Sequence, residues 1–243
     1  EQPASEVETP ALDVASQFSD LDWVSAPVVE HNNILLGRIT IDDVVDIIRD
    51  HAAHQALSAA GLDEDEDMFS PVARAARRRA LWLGINLLTA FLASWVIGRF
   101  EGTIERLVAL AVLMPIVASM GGVAGTQTLT LMVRGMALGQ VGMGNVGALL
   151  NKEVMVGLLN GLAWAMVVGV VAALWFGDWP LGGVIAAAMV INLVTAALAG
   201  VGVPLLLRRM RIDPALAGGV VLTTVTDVMG FFSFLGLATL VLL

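Results

Sequence analysis

One carboxylate stands alone in the most apolar stretch of this chain. Residues 215–243 are long and apolar enough to cross a bilayer, and Asp227 lies near their middle as their one ionisable group. A carboxylate at that depth is costly unless it faces water, a cation or a partner, so it marks a functional site by default. Helical spacing places Thr223 and Thr224 one turn before Asp227 and Gly230 about one turn after it. A charge flanked by hydroxyls in a narrow stripe suits binding a cation or carrying a proton. The competing reading is a polar contact between packed helices, where Thr and Gly are common.

A second polar group lies in the run MPIVASMGGVAGTQT, residues 114–128. Pro115, Gly121, Gly122 and Gly125 interrupt an apolar span, and Thr126, Gln127, Thr128 and Thr130 cluster after them. Non-helical backbone at membrane depth survives only when buried in protein or lining water. This segment is therefore expected to face the Asp227 stripe along an ion path. Close helix packing through small residues explains the glycines singly, and the added Gln and Thr less well.

These residue types favour hard-oxygen chemistry. His31, His51 and His54 all lie in the N-terminal polar region, and the chain has no Cys, which argues against imidazole or thiolate sites for zinc or copper. One Asp227 is too few for a dehydrated Mg2+ or Ca2+ cage. Two symmetry-related copies would instead hold a hydrated Mg2+ through its water shell, since Mg2+ sheds water reluctantly. No nucleophile and base pairing, phosphate-cradling loop or catalytic metal spacing is visible, so an enzyme is not expected.

The elements that must position these residues follow from composition. With 57% hydrophobic residues in long continuous runs, the 243-residue chain reads as an all-α polytopic membrane protein rather than a barrel. Five spans are expected, at about 80–98, 107–133, 154–176, 183–207 and 215–243. Asn86, Asn160 and Asn192 within them read as interhelical hydrogen-bond partners, and Trp82, Trp95, Trp175 and Trp179 as interface anchors. Arg74, Arg77, Arg78 and Arg79 precede the first span, Arg134 and Lys152 lie between the second and third, and Arg208, Arg209 and Arg211 lie between the fourth and fifth. The positive-inside rule then puts the N-terminal region in the cytoplasm and the C-terminus outside.

The charge is divided as sharply as the hydropathy. Residues 1–67 carry 16 acidic and 2 basic side chains, a net −14, whereas residues 68–243 carry 11 basic and 6 acidic, a net +5. The acidic part reads as water-soluble, nucleic acid is an unlikely partner of either part, and no signal peptide is visible. Residues 12–50 read as a small α/β piece: a helix in LDVASQFSDLD, strands in SAPVVE and ILLGRIT, and a helix opened by IDDVVDIIRD. Thr40 is placed to cap that last helix, with Asp42 and Asp43 favoured in its first turn by the dipole. A helix ending at Gly61 follows. Asp63, Glu64, Asp65, Glu66 and Asp67 come next, as a hydrated linker or as a cation-gathering segment.

The APVV strand, LLGRIT strand and DDV helix resemble the second half of a CBS domain. Such domains act in pairs and sense adenine nucleotides or ions. A single one leaves ATP binding at this portion open. The runs PVARAARRRALWLGINLLTAFLASWVIGRFEG, MPIVASMGG..GTQT..L..RG and DPAL....TT.TDV.GF resemble the MgtE family of magnesium channels and transporters, over residues 12–243. The resemblance implies a partial CBS domain (1–50), an acidic linker and connecting helix (51–79) and a transmembrane domain (80–243). It further implies a homodimeric pore in a bacterial inner membrane, lined by the second and fifth spans. Asp227 falls on the family's site for hydrated Mg2+, with Thr223 and Gly230 as its helical neighbours. Asp213 falls on an acid at the cytoplasmic mouth. Pro115, Gly121, Gly122, Gly125, Thr224 and Gly219 fall on the ion path, and Asp42, Asp43, Asp46 and Asp50 remain as regulatory Mg2+ ligands for gating.

The sequence departs from its relatives in places. His51, His54 and Gln55 replace acids after the DDV helix, Val123 and Thr126 stand where some relatives show Asn, and Gly219 and Val220 replace Asn and Pro. Three functions follow as expectations. The first is a Mg2+-selective channel or transporter with Asp227 as ion site. The second is a proton- or sodium-coupled divalent cation exchanger, and the third a non-transporting Mg2+ sensor.

Overall fold

The computed structural model describes residues 5–62, 69–142 and 144–243, in two compact units that divide between residues 68 and 69. The acids Asp63 to Asp67 lie outside the described residues.

The N-terminal unit is a small α/β layer. Strands β1 (Ser5–Glu6), β2 (Ser25–Val29) and β3 (Leu35–Thr40) form one sheet in that order, with helix α1 (Ala11–Asp20) between the first two strands in sequence. β1 pairs parallel to β2 and β2 antiparallel to β3, with a register irregularity at Val28 and Val29. The two-residue β1 is too short to leave an alternating pattern, and only β2 and β3 were expected. Val14, Ala15 and Phe18 of α1 pack with Ala26 and Val44, and Trp23 meets Phe18 edge to face at 5.6 Å. Helix α2 (Ile41–Ala59) continues through residue 50 without a break and stops before Gly61, whose positive φ of 71° ends the helix at no steric cost. Its start is fixed by Asp43, whose carboxylate accepts from the Thr40 N–H and hydroxyl, each at 2.8 Å.

The second unit is all helix. Among the described residues five helices are long and apolar enough to cross a membrane: α3 (Val72–Gly98), α5 (Ala109–Ala137), α6 (Val146–Phe176), α7 (Trp179–Arg209) and α8 (Pro214–Val241), with the short α4 (Glu101–Arg106) after α3. Five apolar spans were expected, and five are present, so the chain is an all-α polytopic membrane protein with a small sheet at its N-terminal end. Two starts differ. α3 begins at Val72 and α6 at Val146, because Arg74 to Arg79 and the Asn151, Lys152, Glu153 group interrupt hydropathy without interrupting helicity.

α7 is the central helix. Asn192, Ile185, Ala188, Met189 and Ala196 are fully shielded, and α5, α6 and α8 pack against it. α6 meets α7 along a stripe of small residues every fourth position, Gly157, Gly161, Ala165 and Gly169, which lets the two backbones approach closely. α5 and α8 pack side by side against the other flank of α7, and α4 is tied to α8 by a 2.8 Å hydrogen bond between the Thr103 and Thr239 hydroxyls.

Candidate functional site

α8 carries the Asp227 stripe. Its first turn is set by Asp213, whose side chain accepts from the Ala215 N–H at 2.9 Å, followed by Pro214, whose missing N–H costs nothing there. Thr223 donates to the Gly219 and Val220 carbonyls at 3.1 Å, and Thr224 donates to the Val220 carbonyl at 2.6 Å. Both hydroxyls thus spend their proton on the helix backbone and keep oxygen lone pairs for an outside donor or cation. Asp227 is half-buried at the edge of the buried face of α8. Among the described residues its carboxylate accepts no hydrogen bond and forms no ion pair. Gly219 is partly buried, with nothing among the described residues within reach of a Cβ at that position.

Gly230 behaves differently. It is buried under the amide of Asn192 and the Val117 side chain, where a Cβ would lie 2.8 Å from Asn192 Nδ2. Its carbonyl accepts from the Ser233 hydroxyl at 3.1 Å. Gly121 on α5 makes room for the same amide from the other side, and Asn192 donates to the Val117 carbonyl at 2.8 Å while its Oδ1 stays buried without a partner. Asn192 is therefore the interhelical partner expected of it, seated in a notch formed by two glycines on two other helices. Gly125 lies against Leu222 of α8, with a Cβ position only 2.9 Å from the leucine Cδ1.

The structure thus sorts the predicted ion-path residues. α5 is helical throughout residues 109–137, so the expected non-helical backbone is absent there. Pro115 sits exposed on the helix surface, and Gly121 and Gly125 serve close packing of α5 on α7 and α8. Gly122 alone among the three glycines is partly exposed with no atom near its Cα substituent position. Asp227, Thr223, Thr224, Gly219, Gly122 and Pro115 remain as residues with room beside them.

On α2, Asp42, Asp46 and Asp50 are exposed at four-residue spacing, which lines them along one side of the helix. Asp43 is held below the usual carboxylate range, chiefly by the Thr40 N–H and then by the Thr40 hydroxyl. Among the described residues no three His, Asp or Glu side chains are gathered to hold a metal. An ion at α2 would need carboxylates brought from elsewhere.

One ionisable group was missed. Glu153, 7% exposed, lies about two turns inside α6, where it accepts from the Thr128 hydroxyl at 3.0 Å and sits 3.4 Å from the Lys152 ammonium. The signal was present: Glu153 begins the four-residue stripe that continues through Gly157, Gly161, Ala165 and Gly169, and so shares its buried side. A span starting at 154 puts Glu153 in a connection instead.

A bundle of five spanning helices with carboxylates placed inside it defines a polytopic membrane protein built around polar intramembrane groups. Residues 114–237 match the MgtE family model, described as a divalent cation transporter, and the chain belongs to that family. It is 31% identical over 229 residues to the magnesium transporter MgtE of Bacillus subtilis, covering 93% of this chain and 50% of that protein. The corresponding proteins of Enterococcus faecalis and Thermus thermophilus are 33% and 32% identical, over 94% and 97% of this chain and 50% and 52% of theirs. The chain spans about half the length of the curated relatives it matches.

Proposed function

We propose that this chain moves hydrated Mg2+ into the cytoplasm as a Mg2+-selective channel or transporter. In this reading two copies meet along α5 and α8 to enclose the passage in a bacterial inner membrane. The observation that carries the reading is Asp227: a half-buried carboxylate in a spanning helix, without a partner among the described residues, with two hydroxyls one turn away. Such a group is stable only if water, a cation or a second copy supplies what the chain does not. Two Asp227 side chains across a twofold axis would hold a Mg2+ ion by its water shell, since Mg2+ keeps several waters when bound by one or two carboxylates. Thr223 and Thr224 add oxygen acceptors for those waters.

The basic ends of α3, α5 and α7 support, by the positive-inside rule, a cytoplasmic N-terminal unit and a C-terminus outside. There the exposed acids Asp42, Asp46 and Asp50 line one side of α2, and Mg2+ would bridge them to carboxylates brought from elsewhere. That is the kind of element that gates a pore in response to internal ion. Asp213, as the cap of α8, ties any charge change at the inner mouth to the start of the Asp227 helix.

The test is cation flux through the purified chain in liposomes. Mg2+ uptake that disappears in Asp227→Ala while the protein still assembles supports the reading; uptake at the parental rate removes Asp227 as the ion site. Flux that stops when the proton or sodium gradient is collapsed at fixed voltage would identify a coupled exchanger instead, and no flux in the parent would leave a sensor.

A further inference from the structure

Between α5, α6 and α7 lies a cavity of about 190 Å³ that the Asp227 site does not include. Its polar lining is Glu153, Thr128, Gln127, Asn160 and Lys152, and the rest is aliphatic. Two close helix contacts build it. Gly157, one turn after Glu153, holds α6 against the Leu193 carbonyl of α7, and Gly200 of α7 lets Thr128 press in from α5, with a Cβ position 2.7 Å from the Thr128 Cβ. The Thr128 hydroxyl consequently donates to Glu153 Oε2 at 3.0 Å from a fixed direction.

We propose that this cavity is a second cation site, taking a hydrated divalent cation such as Mg2+ on the carboxylate of Glu153. The donor set is entirely oxygen: one carboxylate, one hydroxyl and two side-chain amides, the chemistry that suits hard divalent ions. An ionised carboxylate offers about four acceptor positions, and Thr128 uses one. Lys152 faces Oε1 at 3.4 Å, but its side chain is 65% exposed, so it approaches from the solvent side and yields its place at little cost. The volume equals about six waters at ~30 Å³ each, enough for an ion that keeps its shell. Gln127 and Asn160 are exposed at the rim, which gives such an ion a way in. The inference stands whether or not Asp227 binds the transported ion.

The chain has no Cys, so a single introduced thiol reports on the cavity alone. Val156→Cys in the full chain, at an exposed aliphatic residue of the lining, is expected to react with a small water-soluble thiol reagent, and Mg2+ is expected to slow that reaction several-fold while K+ at equal ionic strength does not. Protection should vanish with Glu153→Gln, persist with Asp227→Asn and need more Mg2+ with Glu153→Asp. An unreactive thiol, no slowing by Mg2+, equal slowing by K+, or protection that survives Glu153→Gln overturns the proposal. So does protection lost with Asp227→Asn, which would assign the effect to the other carboxylate. If Glu153→Gln fails to elute as the parent does on size exclusion, Glu153→Asp decides: an unchanged Mg2+ requirement contradicts the site.

Discussion

Asp227 and Glu153 are carboxylates in the same helical unit, yet their surroundings are opposite. Glu153 is buried and complemented by its own chain, with Thr128 donating from α5 and Lys152 beside it. Asp227 is half-buried, at the edge of the packed face of α8, and among the described residues its own chain gives it no partner. The comparison teaches that burial alone does not identify an ion path. A charge satisfied internally belongs to the fold first, whereas a charge left at a packing edge points outward, to water, an ion or a second copy.

The sharpest way to break this comparison is to remove each charge and ask what is lost. Asp227→Ala should reduce Mg2+ uptake to the background of empty liposomes while leaving the heat-unfolding midpoint unchanged, because no described internal contact is removed. A large fall in that midpoint would show the two acids to be alike. Gly121→Leu should be next in size. It drives a side chain into the Asn192 amide and should cost about 3 kcal/mol of unfolding free energy, the upper end for overpacking a close contact. Glu153→Ala should cost about 2 kcal/mol, read as a lower unfolding midpoint, because the buried Thr128 hydroxyl loses its acceptor.

The smallest effect lies in the N-terminal unit, where a carboxylate is satisfied but exposed. Asp43 has a folded-state pKa below its unfolded value, so its stabilisation of the α2 start is full above about pH 4 and is lost as pH falls through the folded pKa. Helical signal from the isolated 1–62 segment should decline on acidification in the parent and less so in Asp43→Asn. Equal pH profiles would contradict the role of the Thr40 contact.

Much of this was legible in the residues. Five apolar runs gave five spanning helices, and Asp227 stood out because nothing else in residues 215–243 is ionisable. Asn192 was readable as an interhelical partner, but not its place in the notch between Gly121 and Gly230, which depends on how three helices converge. The glycines of α5 suggested broken backbone. Gly121 and Gly125 are instead where other side chains come closest, because a missing Cβ weakens a helix by only about 1 kcal/mol while allowing tight contact. Glu153 was lost because hydropathy marks where a span leaves the membrane core, not where its helix begins. A four-residue stripe of small residues carries that information, and following it back from Gly169 reaches the acid.

The central claim is that the Asp227 side of α8 lines a wet passage for cations. Mg2+ flux through Thr224→Cys chains in liposomes, measured before and after a water-soluble thiol reagent, tests it most directly. Flux should persist before treatment, below that of the parent because one oxygen acceptor is lost, and stop once the thiol is modified. A thiol that is modified without loss of flux, or that water-borne reagent never reaches from either side, would contradict the account.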